Sequence, residues 1–475
     1  MQYLRSALGQ VLSSGGSVGS SGGGGDYGAD ISHQPTSSSS SSSAKPKNTT
    51  TPAKLAKYIK LLQPLGLFEE HKERYADLIR KGSVEEEMFN ITGNDMMNMN
   101  LILSRIVDLR ELSKLLWSGA PGEYPHLRAI TWRLLLGIAP NAKDRHLSTL
   151  ARKRREYHEL CRQHWRPNMS TTAGDEQQLI RQIRVDLPRT SAGALQPLFQ
   201  EEKIHAMMER ILFVWALRHP GCGYVQGIND LLTPFLVVFL AEKEEAALSS
   251  SGSRAASNSA AHLQGPSEGD LQAGLSRSRR QTKSVDYEQL RIDSFTDEEL
   301  ADVEADSFLC LTKMLDSMQD HYTPNQPGIQ RMMAALKTLL KRTNMQLASH
   351  LEELQVEMLQ VSFRWFNCLL AREIPIECVI RLWDTYIAEL HDRPSDFDQF
   401  LTFFVMSFLN HWEKELIHDC AEFQQVIMFL QKLPTDNWQV WNLELLLTNC
   451  HILSAKFAGA HEKAELMKSL RINQT

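Results

Sequence analysis

From Ile106 to Cys450 the apolar residues return at every third or fourth position, and no run alternating at every second position competes with them. That period belongs to helices, so the chain must pack helix on helix, and the predicted fold class is all-α. In IVDLRELSKLLW, Leu109, Leu112, Leu115 and Leu116 share one face before the turn Ser118-Gly119-Ala120-Pro121-Gly122. Beyond it Arg128 and Trp132 stand four apart, on one face of the next helix. Ile204, Met207, Met208, Ile211 and Trp215 keep register until His219-Pro220-Gly221 stops the run. Thr233 and Pro234 suit the N-cap and first position of the apolar helix that follows. Thr296 and Glu299 form a capping-box pattern, and further helical runs follow Pro327-Gly328, Pro375 and Pro394.

Two stretches lack this pattern. Ser and Gly dominate from about Ser13 to Thr51, with too little apolar surface to offset chain entropy, so residues 1–52 read as a disordered tail. Residues 248–293 turn to Ser, Ala, Gly, Arg and Gln and read as a disordered insertion within the helical domain. Residues 53–105 are predicted to hold a short helical segment and linker. Leu55, Tyr58, Ile59 and Leu62 follow helical spacing while Lys54, Lys57 and Lys60 point elsewhere, and a second small helix is expected around Tyr75, Leu78 and Ile79. Packing of the first helix on a neighbour is favoured over contact of its basic face with an acidic membrane surface. The main domain is placed at 106–450, with a helical extension at 451–475.

Several function classes are excluded. Of 475 residues 42% are hydrophobic, enough for one large core or two moderate ones. A net charge of -6 lacks the basic footprint of a nucleic-acid binder. The seven cysteines form no CxxC pair, so they suggest neither a zinc site nor a disulfide framework and read as reduced cytosolic thiols. The most apolar run, Leu231 to Ala241, falls short of the roughly 20 residues a spanning helix needs. The N-terminus carries no secretory signal, so a cytoplasmic chain without a transmembrane segment is expected. No GxxxxGK followed by Ser or Thr occurs, so the chain is not expected to bind GTP, and no cofactor or metal of its own is expected.

Two segments carry polar residues where the chain is otherwise apolar: IRVDLPRT, Ile183 to Thr190, and GYVQGIND, Gly223 to Asp230. Taken singly, an arginine in a Pro-containing turn is usually solvated or in a surface ion pair, and a glutamine after a tyrosine usually bonds backbone. Here Ile183, Asp186 and Arg189 spell IxxDxxR, and Tyr224 and Gln226 spell YxQ. In this order they resemble the two catalytic motifs of TBC-domain Rab GTPase-activating proteins. The resemblance extends to an RxxxW element, Arg128 and Trp132, and to an FxWF and RLWD element, Phe363, Trp365, Phe366, Arg381, Leu382, Trp383 and Asp384. It covers roughly Leu112 to Cys450 and is nearest to the member-22 branch of that family.

The resemblance implies a domain of two helical subdomains acting on a GTP-bound Rab, with Mg and GTP held by that partner. It implies that Arg189 enters the partner's site as an arginine finger and Gln226 as a glutamine finger. Asp186 would fix the backbone or guanidinium of Arg189, and Tyr224 would brace the loop of Gln226. Arg128 would either support Asp186 at the site or simply anchor its helix, while Trp132, Trp365, Phe366 and Trp383 are assigned to the core. The residue types suit the chemistry. A guanidinium matches the charge on a phosphoryl group in transit, and an uncharged amide can accept one hydrogen bond from the attacking water and donate another. The family further suggests trafficking membranes, with the Golgi as a site.

A rival reading is a TBC-like scaffold that binds a Rab without accelerating hydrolysis. A helical-repeat adaptor would need self-similar units at a fixed period, and none is found. In the insertion, Arg279-Arg280-Gln281-Thr282 resembles a basophilic kinase substrate that a 14-3-3 protein would read once phosphorylated. Which Rab is served, and whether the chain is a homodimer, are left open by the sequence.

Overall fold

In the computed structural model the first helix among the described residues, α1 (Pro52–Leu62), opens on a proline whose missing N–H is no loss at a helix start. Leu55, Tyr58, Ile59 and Leu62 are buried as their spacing requires, and the helix packs on α2 (Leu109–Trp117). Lys57 and Lys60 are exposed, but Lys54 turns inward and donates from Nζ to the Ser118 carbonyl at 2.6 Å. The structure describes residues 51–65, 106–165, 174–190, 195–260 and 286–457. The small helix expected near Tyr75 and the Arg279–Thr282 phosphorylation motif lie outside them, as does nearly all of the N-terminal tail.

Asp108 caps α2 by accepting from the main-chain N–H groups of Arg110 and Glu111 at 3.0 and 3.2 Å. The helices α3 (Pro125–Leu135), α4 (Lys143–His164), α5 (Gly174–Asp186), α6 (Glu202–Arg218), α7 (Ile228–Ala260) and α8 (Asp297–Asp316) follow. They form a first group in which α8 lies against α4, α6 and α7, and α7 lies against α3. A second group comprises α9 (Pro327–Thr343), α10 (Met358–Asn367), α11 (Ile376–Asp392), α12 (Phe397–His411), α13 (Phe423–Gln431) and α14 (Val440–Lys456). There α9 packs on α10 and α12, and α12 on α14. Helix α11 joins the two groups, touching α2, α3 and α7 on one side and α12 and α14 on the other. Among the described residues the extended pairing is limited to one bridge, Ile106 to Ala142, and no helix is long and apolar enough to cross a membrane.

Because α11 is enclosed from both sides, its polar residues must find partners inside. Asp384, fully buried, accepts from Arg128 Nε at 3.1 Å, Trp132 Nε1 at 2.8 Å and the Ala120 N–H at 2.8 Å. Arg381 donates to Glu444 at 2.7 Å and to Thr385 at 2.8 Å. Arg128, Trp132 and Asp384 of the RxxxW and RLWD elements therefore meet in one buried polar cluster, with Arg381 tied separately, and Trp132, Trp365 and Trp383 lie in the core.

Several expectations need correction. Helix α7 begins at Ile228, so Pro234 lies inside it and Thr233 is no N-cap. Burial of Ile228, Leu231 and Leu232 selects the earlier start over the local preference of proline. The span 248–293 is not irregular throughout: α7 continues to Ala260, and near its far end Tyr287, Leu290 and Ile292 are buried. Their few apolar side chains were outweighed by the Ser, Gly and Arg around them. The boundary at 450 falls inside α14, where Cys450 is itself buried. The Thr296 capping box forms as predicted, and all seven cysteines are free thiols.

Candidate functional site

Helix α5 ends at Asp186, and a single 3-10 turn, Leu187–Arg189, carries the chain outward. Ile183 and Leu187 are locked in the core, which leaves Pro188 and Arg189 exposed on the outer side of the turn. Thr190 closes it, its hydroxyl donating to the Asp186 carbonyl at 3.2 Å. Among the described residues the Arg189 guanidinium makes no hydrogen bond; the main-chain carbonyl of Arg189 accepts from Arg372 Nη2 at 3.2 Å.

The second segment leaves α6 at His219 and turns twice through left-handed glycines, Gly223 at φ +66° and Gly227 at φ +110°. Between them Tyr224 is buried and Gln226 half-buried. The Tyr224 hydroxyl donates to Asp186 Oδ2 at 3.0 Å and lies 3.2 Å from Asn229 Oδ1. Asn229 also accepts from the Gly227 N–H at 3.0 Å and donates to Thr190 Oγ1 at 2.8 Å. The two motifs thus form one unit, stitched beneath the surface through Asp186, Tyr224, Asn229 and Thr190. The Gln226 carbonyl accepts from Asn367 Nδ2 at 2.8 Å, and no hydrogen bond holds its side-chain amide among the described residues.

Burial pushes the Asp186 carboxyl above the usual range, against the Tyr224 hydrogen bond and the charges of Arg189 and Arg372. Burial, then Asp186, raises the Tyr224 hydroxyl, which stays a donor. Asp230 is enclosed one residue beyond Asn229 and is pushed up to about 6 by burial and by Asp186, with Arg372 and a Cys368 hydrogen bond opposing. Arg372 Nη1 lies 3.6 Å from Asp230 Oδ2. A cavity of about 440 Å³ runs beside this pair, between Leu195 and Pro375, and leaves the Arg372 side chain 32% exposed.

Arg128 does not join this unit. It is buried, and its donors go to Asp384, the Tyr287 hydroxyl at 2.6 Å and the Ala120 carbonyl at 3.2 Å, so it anchors its helix and does not support Asp186. Asn229, Thr190, Asp230, Asn367 and Arg372 went unassigned from the sequence. For Asn229 and Asp230 a signal existed, two polar residues opening an apolar helix. Asp320, His321 and Asp398 gather ligand-type atoms elsewhere, but Arg331 already pairs with both carboxylates, so the cluster is an ion-pair network.

Fold and site together define an all-helical domain of two packed groups that presents an arginine turn and a glutamine loop side by side. The Rab-GTPase-TBC domain model matches residues 125–259 and 294–417, and the chain belongs to that family. It is 40% identical over 360 residues to the human TBC1 domain family member 22B, covering 76% of this chain and 61% of that protein. It is 38% identical over 355 residues to the GTPase-activating protein gyp1 of Schizosaccharomyces pombe, covering 75% and 60%. The chain thus spans about three fifths of the length of these relatives. The crystal structure of the Ypt/Rab-GAP domain of Gyp1p is similar with a TM-score of 0.58 at 34% identity, over 74% of this chain and 94% of that one.

Proposed function

We propose that this chain accelerates GTP hydrolysis on a Rab-family GTPase, with Arg189 and Gln226 supplied in trans as fingers. The reading rests above all on the contrast at Arg189, whose main-chain carbonyl is tied to Arg372 while the residue is exposed and its guanidinium makes no hydrogen bond among the described residues. The names of the fission-yeast relative and of the Gyp1p domain support the activity.

The partner holds GTP and Mg. As the oxygen of the attacking water bonds to the γ-phosphorus and the bridging oxygen leaves with GDP, charge grows on oxygens that a small GTPase stabilises poorly alone. The Arg189 guanidinium meets that charge with several donors, and an arginine in trans contributes about 10³ to 10⁵ in rate. The Gln226 amide accepts a hydrogen bond from the water and donates one, which aligns it. Asp186 and Tyr224 act indirectly by joining the two backbones that carry the fingers. Work at trafficking membranes, with the Golgi as a site, belongs to the same reading.

Single-turnover hydrolysis by a panel of GTP-loaded Rabs tests it, using the wild type, Arg189→Ala and Gln226→Ala. At least one Rab should be accelerated, and Arg189→Ala should lose at least about 10²-fold of that acceleration. Rates in every mixture equal to those of the Rabs alone would leave a binding scaffold.

A further inference from the structure

The connector after α10 reaches both fingers. Asn367 ends the helix, and while its Nδ2 donates to the Gln226 carbonyl at 2.8 Å, its Oδ1 accepts from Gln326 Nε2 at 3.0 Å. Its own carbonyl takes the Tyr322 hydroxyl at 2.9 Å, so the amide is held from both sides. The approach is close: a Cβ on Gly227 would meet Asn367 Nδ2 at 2.2 Å. Further along, Arg372 holds the Arg189 carbonyl and faces Asp230. Between the two, Leu369 and Leu370 both adopt left-handed backbone, φ 47° and 61°, and are fully buried. Leucine avoids that region, so packing over-determines the connector's path, a form of strain that collects at functional sites.

We propose that residues 367–372 form a single clamp that sets the position of both fingers, with Asn367 and Arg372 as positioning residues for the hydrolysis reaction. The proposal rests on the finger reading of Arg189 and Gln226. Among the described residues neither finger side chain is hydrogen-bonded, so its location depends on where its own backbone is held, and the main-chain carbonyl of each finger residue is held by this one connector. On the finger segments Asn367 and Arg372 hold main-chain carbonyls, so in this proposal they act through the fingers. Their loss misplaces the fingers without removing a contact to the partner, so it lowers kcat and spares KM.

The test uses the full chain and the Rab it accelerates most. kcat, KM and thermal unfolding are measured for Asn367→Ala, Arg372→Met and Arg372→Lys, and for double variants on the Arg189→Ala and Gln226→Ala backgrounds. Asn367→Ala and Arg372→Met should each lower kcat by about 10- to 10²-fold with KM within about threefold, and Arg372→Lys should recover part of the loss. Asn367→Ala should add nothing once Gln226 is alanine, and Arg372→Met nothing once Arg189 is alanine, because each acts through that finger. Folded variants that keep full kcat, or losses that multiply on those backgrounds, overturn the clamp. If Asn367→Ala does not fold, the half-exposed Arg372 variants decide the matter alone. Finger variants that themselves change nothing would instead sink the finger reading.

Discussion

Asp230 is the residue whose ionisation the site depends on, because its charge holds Arg372 beside the Arg189 carbonyl. Burial, helped by the charge of Asp186, outweighs Arg372, the Cys368 hydrogen bond and Arg364, giving a value of about 6 against an ordinary 3.8. A raised value means that the folded chain binds this proton more tightly than the unfolded one. The stabilisation is therefore complete below 3.8 and is lost as pH rises through about 6. The tether to Arg372 runs the other way and weakens as Asp230 protonates below about 6. Asp230→Asn should therefore raise stability at pH 7.5, by up to roughly 3 kcal/mol, and flatten its change near pH 6. The same variant should lower kcat about tenfold. Melting curves across a pH series and hydrolysis assays at one pH check both halves. Polar side chains in otherwise apolar stretches draw attention to the two segments, but Asp186, Arg189, Tyr224 and Gln226 could be singled out by the resemblance of IxxDxxR and YxQ to the family's motifs. Asn367 and Arg372 could not, since each matters through a carbonyl 141 or 183 positions away.

Helix α3 and helix α11 are joined by a buried charge pair, and the pair explains why Arg128 is where it is. Removing Asp384 leaves a guanidinium enclosed without its counter-charge, so Asp384→Ala should cost about 3–5 kcal/mol in chemical denaturation. A loss below about 1 kcal/mol would show that the pair is not what locks the two helices. Tyr287→Phe, which removes one neutral partner of the same arginine, should cost about 1–2 kcal/mol. Helices were readable wherever an apolar stripe was long, as in α2, α6 and α9. They were misplaced where a local signal competed with burial. Pro234 drew the start of α7 too far along the chain, and the polar majority of 248–293 concealed Tyr287, Leu290 and Ile292. The direction of Arg128 was likewise invisible, because a helix period says which residues share a face and not what that face meets.

At the scale of the whole domain, the finger segments belong to the first helical group and the clamp to the second, so finger placement depends on how the two groups pack through α11. Such an arrangement favours a reaction in which the domain is rigid before its partner arrives and complementary to the transition state. The most direct measurement is therefore the affinity of the chain for an accelerated Rab loaded with GDP and Mg, with and without aluminium fluoride as a mimic of the phosphoryl group in transit. The account predicts tight binding only with the mimic. It also predicts that Arg189→Ala weakens that binding by at least about 10²-fold while changing affinity for a GTP-analogue complex by less than about fivefold. Binding that ignores the mimic, or an Arg189→Ala variant that binds it as tightly as the wild type, would contradict the account.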